Sequence, residues 1–381
     1  MLLEQLNSLY SLLKSPNIFG RYVTNSDIKK CFVHYPKSLI SVIGNSEEGR
    51  SIYRVKIGTG AKRVLLWSQM HGNESTTTKA LIDCINLFLT NNVLPNTILS
   101  KCTLLIIPIL NPDGAERYTR LNVNKIDLNR DAKDLSQSES RVLRKVYDDF
   151  TPDFCFNLHG QRTIYNVGDT NKSSILSFLS PSQDVERTIT WNRKLAMKVI
   201  SELNTTLQAE IPGCIARYAD TFNINCVGDM FQSLDTPTLL YEAGHYPNDY
   251  SREEVRRLMF LAIIKALLVI SDEIDASSYK DYFKIPENNK KFYDVIIRNA
   301  RLELYSKTIL DIGILYREEL KNKEIEFIPV IESIAKLDGN FGHREIDAKG
   351  GLVIATENSD IKVTNEIDFV FINNEKISLK S

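Results

Sequence analysis

Short, nearly continuous apolar runs alternate along the first two-thirds of the chain with longer stretches whose apolar residues recur at helical spacing. VLLWSQ (residues 64–69), TLLIIPI (103–109), DFCFNL (153–158) and TLLYE (238–242) have the length and hydrophobicity of strands covered on both faces. Between them, residues 75–89, 138–149 and 187–207 read as helices. Two helix starts carry a capping-box pattern, Ser136 with Glu139 and Ser251 with Glu254. Behind the second, Val255, Leu258, Met259 and Ala262 fall on one helical face. The pattern predicts an α/β fold: a mixed, mostly parallel sheet with helices on both faces.

After about residue 280 the rhythm changes. DVIIRNARL (294–302), IEFIPVI (325–331), LVIA (352–355) and IDFVFI (367–372) are short and β-like, separated by turn-rich KLDGNFGH and DAKGG. This predicts an α/β domain over residues 1–275 and a small all-β domain over 290–381, with the boundary inside 276–289. The opening segment, MLLEQLNSLYSLLKSPNIFGRY, is interrupted at once by Glu4, Gln5 and Asn7. It lacks the marks of a signal peptide and reads as an amphipathic helix packed on the body. Residues 258–270, the most apolar stretch elsewhere, contain Lys265 and are too short for a bilayer, so the expectation is a soluble protein.

Charge and cysteine usage narrow the classes. Forty-seven Lys and Arg against 48 Asp and Glu leave a net charge of -1, which gives no reason to expect nucleic acid or an anionic membrane as partner. Six scattered cysteines (Cys31, Cys84, Cys102, Cys155, Cys214, Cys226) form no C-x-x-C pair. They argue against a thiolate zinc site or a disulfide scaffold and suit a reducing cytoplasm.

The candidate chemistry gathers at strand ends. LLWSQMHGNESTT sets His71 and Glu74 between a strand and a helix, where three-residue spacing lets both point at one site. Alone, H-x-x-E is a weak signal. However, DFCFNL runs straight into His159 and TLLY into Glu242, and open α/β sheets collect ligand sites at the carboxyl ends of their strands. Two His and one Glu leave a fourth tetrahedral position open, as a catalytic zinc requires, and a further carboxylate is then needed as base. The segment behind the Asn111-Pro112-Asp113-Gly114 turn carries Arg117, Arg120, Asn129 and Arg130, residues able to hold a carboxylate or stabilise an oxyanion. His245 is the rival to His159 as ligand and reads instead as a pocket or exit-loop residue.

HGNE, NPDG, DLNR, His159 and Glu242 together resemble the zinc carboxypeptidase (M14) family, over roughly residues 64–270. The resemblance implies one zinc per chain on His71, Glu74 and His159, with Glu242 as general base. It further implies that Asn129 and Arg130 grip a terminal carboxylate and that Arg120 stabilises the oxyanion, Arg117 competing for that role. Tyr218 is the candidate for the tyrosine that closes over the carboxylate, with Tyr165 behind it. Asn73 departs from the H-x-R-E common in peptide-trimming members. HGNE, DLNR and Glu242-Ala243-Gly244 also fit the related aspartoacylase and succinylglutamate desuccinylase branch.

The expected function is therefore a cytoplasmic metallocarboxypeptidase with a peptide substrate. An N-acyl-amino-acid deacylase with the same zinc site is the alternative, and a catalytically inactive binding protein the rival of another class. Specificity is expected within residues 217–232, where Asp220 and Asp229 are either partners for a basic substrate group or local turn contacts. No motif speaks to oligomeric state.

Overall fold

The structure is a computed structural model that describes residues 2–302, 308–355 and 361–380. It opens with α1 (Leu2–Leu13) and α2 (Asn25–Phe32), followed by the antiparallel pair β1 (Ile40–Asn45) and β2 (Ser51–Ile57). Next come β3 (Lys62–Ser68), α3 (Thr76–Phe88), α4 (Val93–Lys101), β4 (Cys102–Ile107), α5 (Pro112–Arg117), α6 (Ser138–Phe150) and β5 (Phe154–Gly160). They are followed by β6 (Tyr165–Val167), β7 (Leu176–Leu179), α7 (Trp191–Leu207), β8 (Ile215–Arg217), α8 (Val227–Ser233), β9 (Thr238–Ala243) and α9 (Glu253–Ser271). A 3-10 segment, Ala276–Lys284, leads to β10 (Asn288–Lys290), β11 (Phe292–Arg301), β12 (Ile309–Lys321), β13 (Glu324–Ala335) and β14 (Phe341–Asp347). The last strands are β15 (Val353–Ile354), β16 (Phe369–Ile372) and β17 (Glu375–Ser378).

Eight strands form the main sheet, in the order β1-β2-β4-β3-β5-β9-β7-β8. The four apolar runs of the sequence are its parallel centre, and antiparallel pairing of β2 with β4 and of β7 with β9 makes it mixed. Side chains alternate strictly between its two faces. Val64, Leu66, Leu104, Ile106, Phe156, Leu158, Leu239 and Tyr241 enter the core under α3, α7 and α9. Leu65, Trp67, Leu105, Ile107 and Cys155 enter a second core under α6 and α8. Strands buried on both sides must be apolar throughout, which is why these four were legible while short β7 and β8 and the half-buried edge strand β1 were not.

Neither expected capping box forms. Helix α6 begins at Ser138 without a side-chain cap, because the Ser136 hydroxyl donates to Asp131 (2.6 Å) and Glu139 is buried. At α9 the Asp249 carboxylate accepts the N–H groups of Glu253, Glu254 and Val255 at 2.8, 2.9 and 3.0 Å. An ionised acceptor that satisfies three orphan donors displaces a serine hydroxyl from that task. The helix expected from residue 187 starts at Trp191, where Thr190 caps it.

The opening segment is an amphipathic helix packed on the body, with Leu6, Tyr10 and Leu13 buried. It is pinned by Asp83 of α3, which accepts from Tyr10 Oη (3.2 Å) and Ser15 N (2.8 Å) and pairs through both oxygens with Arg256 of α9 (2.6 and 2.7 Å).

Beyond the main sheet, the C-terminal residues form a four-stranded sheet, β13-β12-β11-β14, and a three-stranded one, β15-β16-β17, over a separate core that includes Val295, Ile297, Ile312, Ile314 and Val370. The turn-rich KLDGNFGH in fact runs into β14, and the charged half of β12 (Arg317–Lys321) masked a long strand from an apolar-run reading.

Asp83 and Arg256 are both fully buried, so removing one partner leaves an uncompensated charge. We expect Asp83→Ala to lower the unfolding free energy by about 3–5 kcal/mol in a urea titration. A loss under about 1 kcal/mol would show that the pair does not anchor the N-terminal helix.

Candidate active site

Strand β3 ends at Ser68, and Gln69 turns the chain in the left-handed region (φ 48°). Its side-chain amide donates to the carbonyls of Gly72 (2.8 Å) and Val23 (2.9 Å). Gly72 lies so close to the NPDG turn that a Cβ there would sit 2.0 Å from the Gly114 carbonyl carbon. HGNE and NPDG are thus pressed together, and only glycine fits the contact. The turn closes with Glu74 N donating to His71 O (3.1 Å), and α3 starts two residues later.

This turn aims His71 and Glu74 at His159, the penultimate residue of β5. Glu74 spans both rings: Oε1 lies 2.8 Å from His71 Nδ1 and Oε2 lies 3.0 Å from His159 Nδ1. The two Nδ1 atoms are 3.1 Å apart, and the backbone N–H of Gly160 donates to Glu74 Oε2 (2.9 Å). Among the described residues these three form the one cluster with metal-ligand spacing, all donor atoms lying within 4.8 Å of one another. Burial opposes the charge on Glu74, but the charge and hydrogen bonds of His71 and His159 outweigh it and hold the carboxyl well below the usual range. An ionised carboxylate between two buried imidazoles is a donor set that fits a divalent ion such as zinc.

Behind His71, Asp127 Oδ1 lies 3.0 Å from Nε2, which assigns the proton to Nε2 and turns the Nδ1 lone pair inward. The sequence offers no separate motif for Asp127. Its place directly before LNR, at the start of the motif, was the available signal. Arg120 bonds both Asp127 (3.0 and 3.2 Å) and Glu74 (3.3 Å), whereas its competitor Arg117 pairs with Glu48 at the surface.

Glu242 stands beside His159 because β5 and β9 are parallel neighbours whose register pairs those two residues. Both point away from the face that buries Leu158 and Tyr241, toward the cleft. Burial first, and then the Glu74 charge, push the Glu242 carboxyl well above the usual range, and its Oε2 has no partner.

A cleft of about 670 Å³ surrounds this group. At one end, Arg130 donates to Asn129 O (2.6 Å) and approaches Cys226 Sγ (3.1 Å), without a carboxylate partner among the described residues. The adjacent Asp131 is bonded to Ser136 and Gln137. Asn129 accepts from Val227 N through Oδ1 (2.9 Å). Tyr218 also lines the cleft, its hydroxyl donating to Gln161 Oε1 (2.9 Å), and its ring lies 5.4 Å from that of Tyr165. Asn73 lines the wall as well.

The open alternatives for three residues resolve as follows. His245 is absent from the cleft wall and packs against His343 (4.3 Å) and Tyr250 (4.6 Å), because the loop after β9 turns toward the C-terminal sheet. Asp220 pairs with Arg193 (2.6 Å), a local contact, while Asp229 lies in the cleft wall. The C-terminal sheet enters the cleft through Tyr316, Arg317 and Glu318, an intrusion for which the sequence held no motif. Glu318 accepts from Arg21 (2.9 Å) and from the Tyr118 hydroxyl, tying together three segments distant in sequence.

An open α/β sheet with a His, Glu, His cluster at its strand ends defines the class. Residues 27–140 match the zinc carboxypeptidase (M14) family. A probable carboxypeptidase 2 from Arthroderma benhamiae is 25% identical over 125 residues, 33% of this chain and 22% of that protein. A gamma-D-glutamyl-L-diamino acid endopeptidase 1 from Lysinibacillus sphaericus is 34% identical over 97 residues, 23% of this chain and 24% of that protein. The chain thus spans less than a quarter of the length of these curated relatives. Among solved structures, a metallo-carboxypeptidase from Pseudomonas aeruginosa superposes with a TM-score of 0.53 at 16% identity, covering 65% of this chain and 69% of that one. One from Burkholderia cenocepacia gives 0.52 at 16% identity, covering 65% and 69%. These likenesses show the fold.

Burial raises the Asp229 carboxyl to about 7. The folded protein therefore keeps a proton that the unfolded chain releases near pH 4, and stability falls as pH rises between about 4 and 7. Asp229→Asn should flatten that slope and leave the variant more stable than wild type at pH 8 in thermal unfolding. An unchanged slope would refute the assignment.

Proposed function

We propose that the protein is a zinc metallocarboxypeptidase that hydrolyses the C-terminal amide bond of short peptides. The observation that carries this reading is the unpartnered Glu242 carboxylate, set by strand register beside the His71, Glu74 and His159 cluster. His71 Nδ1, Glu74 and His159 Nδ1 would hold the ion, and zinc supplies there a Lewis acid that polarises the scissile carbonyl and makes water more acidic.

The chain's own residues supply the rest. Glu242 Oε2 takes the proton of the attacking water and passes it to the departing amine. The Arg120 guanidinium, held by Asp127 and Glu74, faces the negative charge that develops on the carbonyl oxygen. Arg130 and the side-chain amide of Asn129 grip the carboxylate of the residue released. The Tyr218 hydroxyl, steadied by Gln161, also lines the cleft that receives the substrate. No covalent acyl-enzyme is needed. All six cysteines are free, which supports a reducing compartment such as the cytoplasm.

One observation favours a second reading with the same chemistry. The C-terminal sheet walls part of the cleft, as a deacylase of N-acyl amino acids would require. Mass spectrometry of a panel of peptides and N-acyl amino acids separates the two. Peptides shortened by one C-terminal residue support the carboxypeptidase, and acyl release with peptides intact supports the deacylase. In either case Glu242→Gln should keep its metal and lose about 10²–10⁴-fold in kcat. Near-normal turnover by that variant would eliminate the mechanism.

A further inference from the structure

Beyond the residues given roles above, the cleft holds a second guanidinium without a carboxylate partner. Arg162 lines the cleft, is exposed, and makes no hydrogen bond or ion pair among the described residues. Its backbone is fixed on both sides. The preceding Gln161 donates through N to Ala243 O (2.9 Å) and through its amide to Ser174 O (2.7 Å), and its carbonyl accepts from Arg252 (3.0 Å). The following Thr163 offers its carbonyl to His343 Nε2 of the C-terminal sheet (2.8 Å). The backbone that presents Arg162 is therefore already ordered, and only side-chain rotamer freedom remains to be lost when it binds a ligand.

The surrounding charges leave Arg162 available. Glu318 is occupied by Arg21 and Tyr118, and Arg317 is neutralised by Glu319 and Glu366 (both 2.6 Å). Arg162 and Arg130 are thus exposed cations of the cleft without an anionic partner among the described residues. They belong to different ends, Arg130 beside Cys226 at the start of α8 and Arg162 where β5 leaves the sheet against the C-terminal sheet. Two unpaired guanidinium groups in the cleft that holds the metal cluster suit a ligand with two negative groups.

We propose that Arg162 is a specificity-determining residue that recognises a carboxylate on the acyl side of the scissile bond, so that the substrates are short peptides with an acidic residue before the bond. This rests on the hydrolytic reading, in which Arg130 takes the terminal carboxylate. The C-terminal sheet backs the loop that presents Arg162 and so sets the acyl end of the cleft.

The test compares two blocked peptides, identical except for Glu or Gln before the scissile bond, with the zinc-loaded full chain. Wild type should favour the Glu peptide by about fivefold in kcat/KM, the size of a partly screened charge pair. Arg162→Ala should bring the ratio close to one, Arg162→Lys should keep most of it, and Arg162→Glu should invert it. Equal turnover of the two peptides by wild type, or a preference that survives Arg162→Ala, overturns the proposal. If neither peptide is cleaved, the hydrolytic reading fails on its own. Calorimetric binding of the same pair to zinc-loaded wild type and Arg162→Ala then decides the anion preference, and equal affinities overturn it.

Discussion

The parallel register between β5 and β9 is the constraint on which the rest of the site depends. It pairs His159 with Glu242, and the alternation of a pleated strand sends both to the same side of the sheet. A slip of one residue would bury Glu242 among the apolar residues of the opposite face and bring Tyr241 into the cleft. Leu239 and Tyr241 oppose that slip, because each would leave the core it shares with Phe156 and Leu158. The hydrophobic pattern that folds the sheet therefore also fixes the distance between a metal-ligand candidate and a base candidate.

The remaining parts are brought to this pair by contacts that tolerate little change. Gly72 against Gly114 locks the turn carrying His71 and Glu74 to the turn that opens the arginine-bearing segment. Asp127 and Glu74 then share Arg120, so imidazoles, carboxylates and guanidinium form one network rather than a set of separate residues. Glu318 adds the C-terminal sheet to the same wall, which explains how residues more than 200 positions apart come to line one cleft.

Much of this was legible before any coordinates. The central strands declared themselves because burial on both faces forces continuous apolar runs, and three of the four runs lead into residues that meet in the cleft. The H-x-x-E spacing gave the cluster, and DLNR gave the arginine at its edge. What the sequence hid has physical causes too. Edge strand β1 is half-solvated and edge strand β8 has three residues, so their patterns are weak. The capping boxes failed because Asp249 and Asp131 bind the neighbouring groups more strongly than serine does. Arg162 and Glu318 acquire their meaning from contacts between distant segments, which no local pattern records.

The most direct test is an anomalous difference map measured at the zinc edge from crystals of the zinc-loaded protein. The account predicts a single ion bound by His71 Nδ1, His159 Nδ1 and a Glu74 oxygen, with Glu242 beside it but outside its coordination. An ion held elsewhere, or one that takes Glu242 as a ligand and so leaves no carboxylate to act as base, would contradict it.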